Sequence, residues 1–228
     1  LLMHPTARPD PDSGPYGIGE LGSAAHGLVG TLREAGVLGW QVLPLGHTGY
    51  GNSPYQTFSR YAGSPYLVSV ERLRDVGDLT EADHDAYVQS VRDAGTPPDR
   101  IDYGWLCRHK VGARWAEDGE DEPVLRRAYR TFRRTGGARL DAFDAFSRGA
   151  AAWLDDYAEF MALKELHGHQ PWDRWAPTFR DVRRWRDHRP RLLAEGDGIA
   201  RTIDYYRYAQ FVFYEQWEAI RARLHDSG

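Results

Sequence analysis

The chain opens with an apolar run, Leu1, Leu2 and Met3, which reads as a strand over residues 1–5 ending at His4-Pro5. Residues 6–19, "TARPDPDSGPYGIG", are dense in turn formers. Helical spacing then takes over. Leu21, Ala24, Ala25, Leu28, Val29, Leu32 and Ala35 recur along one face through residues 20–35. Gly36 stands where a helix C-terminal glycine belongs. "WQVLPL", residues 40–45, reads as a second strand. The crossover between the two is long enough for parallel pairing. Both strands are apolar throughout rather than alternating, which suits a sheet covered on two faces. Residues 1–45 are therefore expected to form a strand–helix–strand unit.

Beyond residue 65 the pattern changes. "YLVSVERL", residues 66–73, reads as a short strand or a strand-to-helix segment. Helical spacing is predicted over residues 80–95, 105–133, 139–167 and 203–225, with a break at "TPPDR", residues 96–100. Residues 168–200 are rich in Trp, Arg and Pro and only partly helical. A strand–helix–strand start belongs to an α/β barrel or a doubly wound sheet. An eight-stranded barrel typically takes about 250 residues and needs eight strands; here two or three precede a mostly helical remainder. Two architectures stay open: a small α/β unit with a helical cap, or the first part of a larger enzyme.

Composition narrows the function classes. The 228 residues are 41% hydrophobic and 27% charged, an ordinary soluble balance. The net charge of −4 gives no broad pull toward nucleic acid or an anionic membrane. The single cysteine, Cys107, excludes an internal disulfide and points to the cytoplasm. No apolar run approaches the length of a membrane-spanning helix. The first residue is not Met, and the chain is expected to be cropped from something longer.

Candidate chemistry concentrates after the second strand. "TGYGNSPYQTFSRYAGSPY", residues 48–66, carries four tyrosines and one charged residue, Arg60. Ligands of α/β folds bind at the carboxyl ends of strands, where this loop and residues 6–19 both lie. Pro54 fixes its own φ and restricts Ser53, so Ser53-Pro54-Tyr55 is a rigid turn. Such rigidity lowers the entropy cost of presenting Tyr55 to a ligand. Tyr50, between two glycines, is placed as a stacking platform. Asn52 and Ser53 supply groups that suit sugar hydroxyls. Packing over the sheet is the other role open to Tyr55, Phe58 and Tyr66. His4 and His47, at strand ends, either line a cleft or pack beneath it. The glycines at 17, 19 and 22 have dinucleotide-loop spacing, but the strand-to-helix gap is too long for that tight turn. His167 and His169 lack third and fourth metal ligands and read as a solvated helix end. Cys107 is expected to be buried. No pair of carboxylates suited to glycoside cleavage stands out.

"LLMHPT", "GPYGIGELG" and "WQVLPLGHTGYGNSPYQTFSRYAGSPYL", followed in order by "IDYG", "WLDDYAEFMALKE", "PWDRW" and "YAQFVFYEQW", closely resemble the start of the amylomaltases, the bacterial 4-α-glucanotransferases or disproportionating enzymes. The resemblance implies an α/β fold: the start of a (β/α)8 barrel with a large helical insertion, incomplete in this chain. Residues 1–75 would hold the first two strands and the substrate loops. Residues 76–200 would form the insertion, and residues 201–228 a helix leading toward the next strand. It implies transfer of α-1,4-glucan segments between maltodextrins with retention, through a covalent glucosyl-enzyme intermediate, without metal or organic cofactor. The catalytic carboxylates of the family fall beyond residue 228, so no catalytic residue is assigned here. What carries over is glucan binding: Ser53 and Tyr55 near the cleavage subsite and Tyr50 at an outer position; His4, Asn52 and Pro54 join the candidate binding residues from their own places at the strand end and in the turn. The sequence departs from the family at "PDPD" in the first loop, at His47 where proline is common, at Asn52 where aspartate is common, and at Glu159 where the residue is usually apolar. These departures bear on substrate-length preference. A non-catalytic α-glucan-binding module is the alternative.

Overall fold

The computed structural model describes residues 1–7, 16–49, 51–97, 100–112, 122–194 and 197–225. Helices α1 (Ser23–Glu34), α2 (Val70–Asp75), α3 (Glu81–Ala94) and α4 (Tyr103–Leu106) come first. A π-helical turn at Cys107–Val111 follows directly. The second half holds α5 (Val124–Thr135), α6 (Ala138–Leu166), α7 (Pro177–Arg180), α8 (Val182–Ala194) and α9 (Asp197–His225).

α1 forms where the apolar spacing predicts it, burying Ala25, Leu28, Val29 and Leu32. Its end is a Schellman turn: Gly36, at φ 68°, donates to Arg33 O, and the Val37 N–H donates to Leu32 O. Ser69, Thr80 and Asp102 cap α2, α3 and α4 by accepting an N–H from the first turn.

The expected strands do not extend. Residues 1–5 and 40–45 meet in one parallel bridge, Leu2 with Gln41. The Met3 N–H donates to Gln41 O at 3.1 Å, and the Gln41 N–H donates to Leu1 O at 2.7 Å. The direction of pairing is as expected, but among the described residues no strand longer than a bridge forms. The reason is burial. An apolar strand of a parallel sheet is stabilised by cover on both faces, and here Leu2 remains 61% exposed. Residues 66–73 are likewise not a strand: a 3-10 turn, Pro65–Leu67, leads into α2. Ser69 at the cap position and the polar run after Val70 favour helix there.

The core is built on α6 and α9. Tyr206 donates to Glu165 Oε1 at 2.6 Å, while Phe146 packs on Tyr214 at 5.7 Å between ring centres, so the two long helices run antiparallel. Phe132, Phe143, Leu154, Tyr157, Tyr208 and Phe211 interleave between α5, α6 and α9. The same buried cluster continues through Leu67, Val70 and Leu73 to Leu21 and Val29 of the N-terminal region. A smaller cluster of Leu163, Trp175 and Trp185 seats α8 on α6. Glu159 serves that seat: it accepts from Trp185 Nε1 at 2.8 Å and pairs with Arg189 at 2.6 Å.

Candidate functional site

The loop after residue 45 folds back on itself. Two antiparallel bridges, Gly46 with Gly63 and Thr48 with Thr57, close it at successive levels. The His47 N–H donates to Ala62 O at 3.3 Å, and the Phe58 N–H donates to His47 O at 3.0 Å. The glycines are required by close approach: a Cβ on Gly46 would lie 2.6 Å from Thr57 Cγ2, and one on Gly63 would sit 2.1 Å from the Phe213 ring. At the tip Gly51 and Asn52 both adopt positive φ, 86° and 53°. Asparagine is among the few side chains that accept this conformation readily.

Helix α9 holds the loop with side-chain amides. Gln210 Oε1 accepts the Gly63 N–H at 2.7 Å, and Gln210 Nε2 donates to Gly63 O at 2.9 Å. Gln216 makes the same pair of bonds with Ser69, at 2.7 and 3.3 Å. Each amide thus pairs with one residue's backbone as a neighbouring strand would. The Tyr214 hydroxyl donates to Tyr61 O at 2.6 Å.

A buried ion pair secures the far side. Lys110, fully buried, donates to Glu20 and, at 2.8 Å, to Tyr66 O, while Glu20 Oε2 accepts the Val70 N–H at 2.9 Å. Burial pushes the Glu20 carboxyl up, opposed by the Lys110 charge, and burial pushes Lys110 down. The hydrogen bond survives with the proton on either partner, so three segments stay joined.

Three cavities meet at this loop. The first, about 170 Å³, brings His4, Asn52 and Pro54 together with Thr6, Tyr66 and Tyr103. The second, about 420 Å³, has Pro54, Tyr55, Arg60, Tyr61, Tyr214 and Trp217 in its wall. The third, about 580 Å³, is a groove between Asn52, His47, Tyr103, Lys164, His169 and Tyr206. Among the described residues no aspartate or glutamate lines any of the three.

The residues singled out from sequence are placed as follows. Tyr55 is 73% exposed. Ser53 lines none of the three cavities; its hydroxyl accepts the Tyr55 N–H at 3.3 Å and fixes the turn that presents the ring. Asn52 faces two cavities, and Pro54 also lines two. Nδ1 of His4 bonds to the Thr6 hydroxyl at 2.8 Å, and burial lowers its pKa, partly opposed by the neighbouring Pro44 carbonyl. Tyr50 lies outside the described residues. Phe58 packs against the core, and Tyr66 is buried in it. His47 does both things considered for it: it is buried against Phe58 and Tyr66, and it forms groove wall.

Cys107 is exposed, contrary to expectation. It begins the π-helical turn on the groove side, where the wall opens. His167 and His169 do not act together. His167 stacks on Trp175 at 5.0 Å, and His169 faces the groove. Glu81, His84 and Asp85 come close enough to suggest a cation site, but both His84 nitrogens are engaged, by Tyr16 and Asp85. Sequence reasoning missed Glu20, Lys110, Gln210, Gln216 and Lys164. Polar residues on otherwise apolar helical faces were the available signal for the two glutamines and Lys110.

The family described as 4-alpha-glucanotransferase matches residues 3–228. The 4-alpha-glucanotransferase of Thermus thermophilus is 39% identical over 229 residues, covering 100% of this chain and 40% of that protein. The Synechocystis sp. enzyme of the same name is 33% identical over 225 residues, covering 97% of this chain and 39% of that protein. The chain therefore spans well under half the length of these relatives. An amylomaltase from Streptococcus agalactiae, solved in complex with acarbose, superposes over 100% of this chain and 41% of its own, with a TM-score of 0.76 and 29% identity. An amylomaltase from Corynebacterium glutamicum, at 16% identity and a TM-score of 0.69, shares the fold.

Proposed function

The chain belongs to the 4-alpha-glucanotransferase family, and from that premise we propose that it is the glucan-gripping part of an enzyme that moves α-1,4-glucan segments between maltodextrins. The observation that carries the reading is the loop at 46–66: uncharged apart from Arg60, bolted at both sides, and presenting Tyr55 to solvent beside cavities whose described walls hold no carboxylate. A rigid aromatic ring next to hydroxyl and amide groups fits a neutral sugar chain, whose apolar ring faces stack and whose hydroxyls hydrogen-bond. Asn52, Ser53, Pro54, Tyr55 and His4 are the groups assigned to that contact, with Tyr50 at the outer end.

Retaining transfer needs a nucleophile and an acid/base carboxylate about 5 Å apart. With no acid among the described residues of the cavity walls, we place both in sequence following residue 228, within a (β/α)8 barrel that residues 1–5 and 40–45, joined here at one bridge, would begin. Residues 76–200 are then the helical insertion, and residues 201–228 lead to the next strand. No helix among the described residues is long and apolar enough to cross a membrane, and the single cysteine fits a cytoplasmic setting.

The lack of an acid among the described wall residues also favours a second reading, a glucan-binding module without catalysis. One experiment separates the outcomes. The protein should bind maltoheptaose, and Tyr55→Ala should weaken that binding about tenfold with an unchanged melting midpoint. Incubation of these 228 residues with maltotriose should yield neither glucose nor longer maltodextrins; turnover would overturn the placement of the carboxylates. A chain extended through the remaining family length should turn over maltotriose if it is the enzyme and stay silent if it is the module.

A further inference from the structure

We propose that His47 presents a fixed Nε2–H donor to the groove and that this donor binds an oxygen acceptor of the glucan, an inference that rests on the glucan reading above. The direction of the proton is set by a chain of hydrogen bonds that starts from the backbone. An N–H can only donate, so Gly63 N–H at 2.7 Å identifies the accepting atom of the Gln210 amide as Oε1. Gln210 Nε2 then has two protons: one goes to Gly63 O at 2.9 Å, the other to the Tyr157 hydroxyl oxygen at 3.3 Å. The Tyr157 proton is left for His47 Nδ1, 2.7 Å away. Nδ1 is therefore the accepting nitrogen, and the ring proton of the neutral imidazole sits on Nε2.

The one ring bond to a described residue is through Nδ1, and Nε2 is not among the side-chain nitrogens closed off from the surface, while His47, 4% exposed as a whole, forms part of the groove wall. A donor whose direction is fixed before a ligand arrives costs little further order on binding. Its ring cannot swing away, since Phe58 stands edge-on at 5.2 Å and Tyr66 at 6.0 Å. The remaining groups around it keep it neutral. Burial first, then the His169 and Lys164 charges across the groove, hold its pKa down to about 3. Lys164 is already committed to the carbonyls of His169 and Gln170, at 2.9 and 3.3 Å. The donor is thus uncharged and unchanging across the neutral range, matched to a hydroxyl or ring oxygen.

The test combines the ring's proton with the ligand. Nitrogen-15 NMR of the protein between pH 5 and 8 should show His47 as the Nε2–H tautomer with no titration. Maltoheptaose binding should fall about tenfold in His47→Phe, about the worth of one buried hydrogen bond. Binding should be largely restored in His47→Gln, whose amide nitrogen reaches the Nε2 position. Tyr157→Phe, which removes only the directing hydroxyl, should mix the tautomers and weaken binding by a smaller factor; it also serves should His47→Phe fail to fold. An Nδ1–H tautomer in the native protein overturns the proposal whatever the sugar does. Wild-type binding that His47→Phe leaves unchanged overturns the proposal and spares the glucan reading. No binding by the wild type overturns both.

Discussion

A histidine enclosed by Phe58, Tyr66 and Tyr157 is easier to bury neutral than charged, and this ties His47 to the pH dependence of folding. Its folded pKa, about 3, lies below the ordinary 6.5 of the unfolded chain. The stabilisation it lends is present above pH 6.5 and is lost as pH falls toward the folded value. Burial lowers His4, His26 and His169 in the same sense, whereas Glu20, raised by burial, acts oppositely. The His47 part is isolated by comparing His47→Gln with the wild type. The variant should gain on the wild type by about 1.4 kcal/mol per pH unit below 6.5, read from urea denaturation at pH 7, 5.5 and 4.5. A difference that stays constant over that range would mean His47 is open to water.

At the scale of elements, the two glutamines of α9 do for the loop what an adjacent strand does in a sheet. Replacing Gln210 by Leu would leave the Gly63 N–H and carbonyl buried without partners and release Tyr157. Each unsatisfied backbone group costs about 1–3 kcal/mol, so Gln210→Leu should lower the unfolding free energy by about 3 kcal/mol, measured by urea denaturation. Near-neutrality would show that water satisfies Gly63 in their place. Most helices were legible, but the one expected over residues 105–133 is broken: α4 and its π-helical turn end at Gly112, and α5 starts afresh at Val124 after Pro123. The spacing of Leu21 to Leu32 gave α1, and Gly36 marked its end. α9 runs earlier than predicted, starting at Asp197 rather than residue 203, since Ile199 and Ile203 continue the apolar face. The amide bonds were not legible, because nothing local links Gln210 to a glycine 147 positions away.

For the whole molecule, the unfinished element is the edge formed by residues 1–5 and 36–45. Leu2 is 61% exposed and Leu38 103%, beside backbone that pairs at one bridge alone. Apolar, unpaired backbone of this kind invites another strand. The 228-residue protein should self-associate as concentration rises, by static light scattering, and Leu2→Lys with Leu38→Lys should reduce that association. A monomer at every concentration would show that the edge is already satisfied. Sequence by itself determined most of the helices, the family and the aromatic, charge-poor loop, because periodicity, capping residues and short motifs are local. It also determined that the first and second apolar runs would pair in parallel. Tertiary structure decided how far that pairing extends, since strand length depends on neighbours and cover. It decided, too, that Cys107 opens onto the groove and that His47 is at once core and wall. Those outcomes depend on which surfaces α6 and α9 bring against the loop, and such long-range packing leaves no mark in the residues on either side.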